Sequence, residues 1–193
     1  MTTTPKGFTL IELLIVIAII AILATAVVLL LNPAELLRQA RDSQRISDLD
    51  TLRTAISLYL STVTATALGG SGTCYYFNPA AAPISPAVNC DGRHAGRTNV
   101  GVNTTLAVDG SGWVPVNFGN IPGGSPLSVL PRDPRNTTTL FYSYATNGTD
   151  FFEMDANMES GRYGNAGTDD AESLDGGNNA NVREVGNAPN LTY

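Results

Sequence analysis

The chain has 193 residues, a formal charge of −6, one histidine and two cysteines, a length that suits about one domain with room for a sizeable core. Residues 8–31 are apolar at 21 of 24 positions, whereas 18 of the 19 glycines and 9 of the 11 prolines follow Leu68. A membrane-grade segment is therefore joined to a polar, loop-rich body, which argues against a purely cytosolic soluble enzyme. Residues 1–149 carry 9 Lys/Arg against 8 Asp/Glu and residues 150–193 carry 2 against 9, so no basic patch is available for general nucleic-acid binding.

The first seven residues are polar, with one positive charge at Lys6. The apolar run that follows, Phe8 to Leu31, is longer than the core of an ordinary secretory signal and at 1.5 Å per residue is long enough to cross a bilayer. Lys6 on its N-terminal side favours a cytoplasmic N-terminus with the body outside. Glu12 is the exception within the run, because a carboxylate in an apolar helix costs a few kcal/mol on insertion scales (about 3) and calls for a partner or a place at the interface.

The string Lys6-Gly7-Phe8-Thr9-Leu10-Ile11-Glu12 resembles the N-terminus of type IV prepilins and type II secretion pseudopilins. The resemblance implies cleavage by a prepilin peptidase between Gly7 and Phe8, N-methylation of the new amine on Phe8, and an assembly role for Glu12. It also implies that the partners are further copies of the chain, the peptidase/methyltransferase and an inner-membrane assembly platform. The physics is compatible with that role. A new ammonium at Phe8 and the carboxylate of Glu12 on a neighbouring subunit would remove each other's unpaired charge in a low-dielectric setting and fix the vertical register.

Pro33 interrupts the helix, either as a kink or as the first residue of a new helix with Asn32 as its cap. Residues from Ala34 to about Thr64 then read as amphipathic. Leu49, Leu52, Ile56, Tyr59 and Val63 follow helical spacing, and Arg38, Asp42, Arg45, Asp48, Asp50 and Arg53 form a charge ladder expected to face solvent. Unbroken from Phe8 to Thr64, the helix would be roughly 85 Å long. The expected divisions are a leader at 1–7, a membrane and assembly helix at 8–31, its amphipathic continuation at 32–66 and an extracellular head at 67–193.

Leu68-Gly-Gly-Ser-Gly72 is flexible by composition and lacks the helix start of a phosphate-binding loop. Between Thr73 and Pro126 the strand signal is weak except at residues 113–118, where Pro115 demotes the segment to an edge strand or an extended loop. Outside the cytoplasm Cys74 and Cys90 are expected to form a disulfide, closing a loop of about 17 residues for around 3 kcal/mol. Residues 140–146 and 150–159 flank Asn147-Gly148 and read as a hairpin. Phe152, Met154, Ala156 and Met158 should pack on the helix while Glu153, Asp155, Asn157 and Glu159 meet water. Leu130-Pro-Arg-Asp-Pro134 is similar to the segment preceding the sheet in major pseudopilins, without the Trp-Gly that often follows there.

Acidic residues Asp169, Asp170, Glu172 and Asp175 lie in a Gly/Asn-rich tail whose oxygens suit Ca²⁺ chemically, but which lacks the EF-hand pattern; a solvated tail without cofactor is the simpler expectation. His94 is the only histidine, so neither a catalytic triad nor a zinc site follows from sequence, and no enzyme is expected. The expected fold class is α+β and pilin-like, a long N-terminal helix on a small antiparallel sheet. The expected function is a structural subunit of a type IV pilus or a pseudopilus, held in the inner membrane and then placed in an extracellular or periplasmic filament. The alternatives are a major pseudopilin of type II secretion and an anchored adhesive or ligand-binding module that does not polymerise.

Overall fold

Helix α1 (Leu10–Leu31) begins and ends on residues suited to those places. The structure, a computed structural model, describes residues 7–78, 88–94 and 96–188. Thr9 is the N-cap, and Asn32 closes the helix in the left-handed region at φ 41°, a conformation asparagine tolerates better than most residues. Helix α2 (Pro33–Thr62) starts at the next residue. Proline at this first position has no N–H to leave unsatisfied, and the Asn32 carbonyl accepts from the N–H groups of Glu35 and Leu36 at 3.0 and 3.3 Å. The chain therefore ends one helix and starts another at Asn32-Pro33.

Two compact units result, Met1–Leu37 and Arg38–Tyr193. The boundary falls within α2, so the amphipathic part of that helix is a core element of the second unit. This unit, the head, contains β1 (Thr73–Phe77), α3 (Val88–Gly92), β2 (Asn99–Asn103), β3 (Ser143–Thr146), β4 (Phe152–Ala156) and β5 (Arg183–Gly186), with sheet order β2-β1-β3-β4-β5. The fold is α+β as expected, but the sheet is mixed: β1 pairs in parallel with β2, and the other three pairings are antiparallel. Parallel neighbours need a crossover connection, and α3 lies in the segment that joins β1 to β2.

Tyr75, Phe77, Tyr144, Phe152, Met154 and Val185 share one core with Leu49, Leu52, Ile56 and Tyr59 of α2. Residues 113–118 form no regular strand: Trp113 and Val114 lie in a bend, Asn117 makes an isolated bridge with Asp109 and Phe118 opens a 3-10 turn, and Trp113, Val114, Val116 and Phe118 complete this core. The hairpin joins β3 to β4 through five residues, in which the Asn147 side chain accepts from the N–H groups of Thr149, Asp150 and Phe151 and Gly148 takes φ 100°. That dihedral is the reason for glycine there. Gly101 on β2 has a different reason, because the Tyr75 ring occupies the space of any Cβ.

Three expectations about exposure are overturned. Glu153 and Asp155 are 2% and 0% exposed instead of facing water. Alternation tells which residues share a face but not whether something covers it, and here the segment that follows α3 lies over that face. Asp42 and Arg45 of the charge ladder are also fully buried, because the Leu130–Pro134 segment and the turn after β4 supply partners. Residues 160–188 are not a loose tail: they contain β5, and Ala171, Glu172, Val182 and Val185 are buried.

Candidate functional site

Gly7 to Val28 are exposed at every position. Gly7, Phe8 and Thr9 precede α1 without helical structure, Phe8 is 85% exposed, and a Cβ on Gly7 would touch nothing. The peptide between Gly7 and Phe8 thus lies outside the helix, is accessible and is one turn from Glu12. The leader residues 1–6, including Lys6, lie outside the described residues. Leu10–Val28 is long and apolar enough to cross a membrane.

Glu12 has a partner within its own helix. Its carboxylate Oε2 accepts from the Thr9 N–H at 2.8 Å and the Thr9 hydroxyl at 2.7 Å, while the Thr9 hydroxyl oxygen accepts from the Glu12 N–H at 3.3 Å. This reciprocal capping box satisfies two groups that a helix start otherwise leaves open, and it places a carboxylate at the positive end of the helix dipole. Both carboxylate hydrogen bonds fall on Oε2; among the described residues none reaches Oε1. Thr25, the other polar residue of α1, returns its hydroxyl to the Ala21 carbonyl at 2.9 Å. The spacing Thr-x-x-Glu was the available signal for this box.

In the head, Cys74 of β1 and Cys90 of α3 are disulfide-bonded with Cα atoms 6.1 Å apart. The tail acids are engaged separately. Asp169 pairs with Arg162, Asp170 accepts from the N–H groups of Ala166, Glu172 and Ser173, Glu172 accepts from those of Met158 and Asn165, and Asp175 from those of Gly177 and Glu184. Among the described residues, the metal-type donors that converge are instead His94, Glu153 and Asp155.

This second group is assembled from the face of the sheet opposite α2. Glu153 and Asp155 stand two residues apart on β4, opposite Ala145 and Ser143 of β3, so both point to that face. His94 is fully buried over them, with Nδ1 3.2 Å from Glu153 Oε1 and Nε2 3.1 Å from Ser143 Oγ and 3.4 Å from Asp155 Oδ2. Burial disfavours the charged form of each: it pushes the His94 imidazole down, and, with the negative charge of Glu153 adding to it, holds Asp155 well above the ordinary carboxylate range. Sequence reasoning missed the group because its histidine is about 60 positions from its acids, and only the i, i+2 spacing of Glu153 and Asp155 was visible.

A third cluster is electrostatic and joins distant segments. Arg45 donates to Asp133 through Nε at 2.7 Å and Nη2 at 3.0 Å and to Asp42 through Nη1 at 2.7 Å, and its Nη2 lies 2.7 Å from Glu159. Arg41 adds a two-pronged contact to Glu159 at 2.8 Å, and Asp42 accepts from the N–H groups of Glu159 and Ser160. These contacts hold a buried ion network together, with no indication of chemistry.

Residues 4–28 match the family described as prokaryotic N-terminal methylation motif, the signature of type IV pilin and pseudopilin precursors. No curated protein and no solved structure matches the chain.

Proposed function

We propose that the chain is the precursor of a structural filament subunit, cut by a prepilin peptidase between Gly7 and Phe8, methylated on the Phe8 amine and assembled through α1 into a type IV pilus or pseudopilus. The observation that carries this reading is the methylation motif over residues 4–28, followed by a helix that exposes its apolar side chains on all sides. Such a helix is stable in lipid, and leaving the bilayer requires an equally apolar surround, which a bundle of identical helices supplies. The inner membrane with its assembly platform is the starting location, and the head is carried outside.

Glu12 has the geometry for its part. The Thr9 hydrogen bonds keep the carboxylate beside the start of α1, and Oε1 is oriented by the same capping box without being used in it. A carboxylate accepts several hydrogen bonds, so the ammonium of a neighbouring subunit's Phe8 can add to Thr9 without displacing it. That pairing removes an uncompensated ammonium from an apolar filament centre, where breaking a buried ion pair costs about 3–5 kcal/mol.

Glu12→Ala is the test. Expressed with the peptidase and assembly machinery, this variant should still be cut after Gly7 and remain in the membrane, with sheared filament yield reduced at least tenfold, as read by electron microscopy and immunoblot. Wild-type filament yield from Glu12→Ala would contradict the assembly role.

A further inference from the structure

We propose that His94, Glu153 and Asp155 form a structural zinc site inside the head, one imidazole nitrogen and one oxygen from each carboxylate serving as ligands. Nothing in the filament reading requires such a site, and the two stand or fall separately.

The first observation is convergence. One donor atom from each of the three residues lies within 4.8 Å of the other two. His94 Nε2 lies 3.4 Å from Asp155 Oδ2, while Glu153 Oε1 lies 3.2 Å from the other ring nitrogen, Nδ1. Zinc bonds to nitrogen and carboxylate oxygen are about 2.0–2.2 Å long and tetrahedral, which puts neighbouring ligand atoms about 3.3–3.5 Å apart. With Nε2 as the ligand, Asp155 already stands at that separation, and a side-chain adjustment that turns the Glu153 carboxylate toward the same nitrogen closes a coordination sphere around a single ion. One neutral imidazole and two carboxylates also suit a borderline divalent cation in charge and in donor type.

The second observation is independent of that spacing. Asp155 is 0% exposed, and neither oxygen of its carboxylate has a hydrogen-bond partner. An ionised carboxylate buried without compensation is expensive. Arg93, its near neighbour, donates none of its N–H groups to Asp155: they go to the carbonyls of Phe141 and Thr139, the Asn157 side chain and, at 3.5 Å, Ser143 Oγ, while its guanidinium lies 3.6 Å from the centroid of the Phe141 ring. A cation among the three side chains supplies the missing partner at Asp155.

The surroundings hold the ligands in place. β4 is paired on both sides, so Glu153 and Asp155 are fixed by the ladder to β3 and β5. The disulfide at Cys90 anchors the chain four residues before His94, and Arg93 ties the intervening turn to the ends of neighbouring segments. Ser143 Oγ, 3.1 Å from His94 Nε2, stands where it can hydrogen-bond a water completing the fourth position. All three ligands are closed off from solvent, the arrangement of a structural site.

The experiment uses the untagged full-length chain in detergent, stripped with EDTA and titrated with ZnCl₂. Elemental analysis after gel filtration should find one zinc per chain, and zinc should raise the thermal midpoint. Because His94 is the chain's only histidine, its imidazole NMR signals report the site without any variant, and zinc should shift or broaden them. Asp155→Asn, which keeps the side-chain shape, should weaken zinc at least about tenfold, whereas Asp169→Asn with Asp170→Asn should leave it unchanged. Zinc uptake that leaves the His94 signals unmoved overturns the proposal, as does absence of zinc uptake by the folded chain; the latter result leaves a proton shared within the cluster. Loss of zinc in the tail variant together with retention in Asp155→Asn also overturns it. Should Asp155→Asn fail to fold, the wild-type stoichiometry and His94 signals still decide.

Discussion

Arg45 sits among alternating charges on α2, a pattern that in sequence reads as a solvated ladder, yet its guanidinium is fully buried and meets three carboxylates from three parts of the chain. The i, i+3 spacing of Asp42 and Arg45 was visible; the reach of Asp133 and Glu159, about 90 and 115 positions away, was not. Truncation strands those acids in the interior, so Arg45→Ala is expected to destabilise the head by about 3–5 kcal/mol, measured as a shift in urea midpoint. A change below about 1 kcal/mol would mean that the network is solvated. Glu159 makes the network pH-sensitive. Hydrogen bonds from Arg41, and then from Arg45, hold its carboxyl down at about 2, against about 4.3 in an unfolded chain. Its folded value lies below its unfolded one, so its contribution is complete above about pH 4.3 and is lost as pH falls toward 2. Urea midpoints taken across that window should drop more steeply for the wild type than for Glu159→Gln; parallel curves would contradict this origin.

Helices and the hairpin were legible because their signals are local. An apolar run, Pro33, helical spacing from Leu49 to Val63 and Asn147-Gly148 each act within a few residues. β1 was weakly read although Thr-Cys-Tyr-Tyr-Phe is rich in strand formers, because glycine and proline dominate its surroundings. β2 and β5 lie at the edges of the sheet and owe their pairing to strands far away in sequence. The buried polar face of β4 was misread for a related reason: His94, which lies over it, comes from about 60 positions earlier in the chain. The Cys74–Cys90 bond fastens the crossover through α3 to β1. Replacing both cysteines by serine is expected to cost about 3 kcal/mol for a loop of about 17 residues. Equal denaturation midpoints for the variant and the oxidised wild type would show that the crossover is held without it.

At the scale of the whole molecule, a mean hydropathy of +0.04 averages two units with unlike surfaces. Met1–Leu37 presents an apolar helix whose two polar side chains are satisfied internally, and Arg38–Tyr193 encloses the main apolar core on one face of its sheet and, on the other, buried polar groups beside a smaller apolar cluster of Cys74, Tyr76, Cys90 and Phe141. The motif at residues 4–28 connects the first unit to processing at the membrane. The most direct test is intact-mass spectrometry of the chain after co-expression with a prepilin peptidase. The account predicts a product beginning at Phe8 and heavier by one methyl group on its amine. A chain retaining residues 1–7, or cut at any other bond, would contradict it.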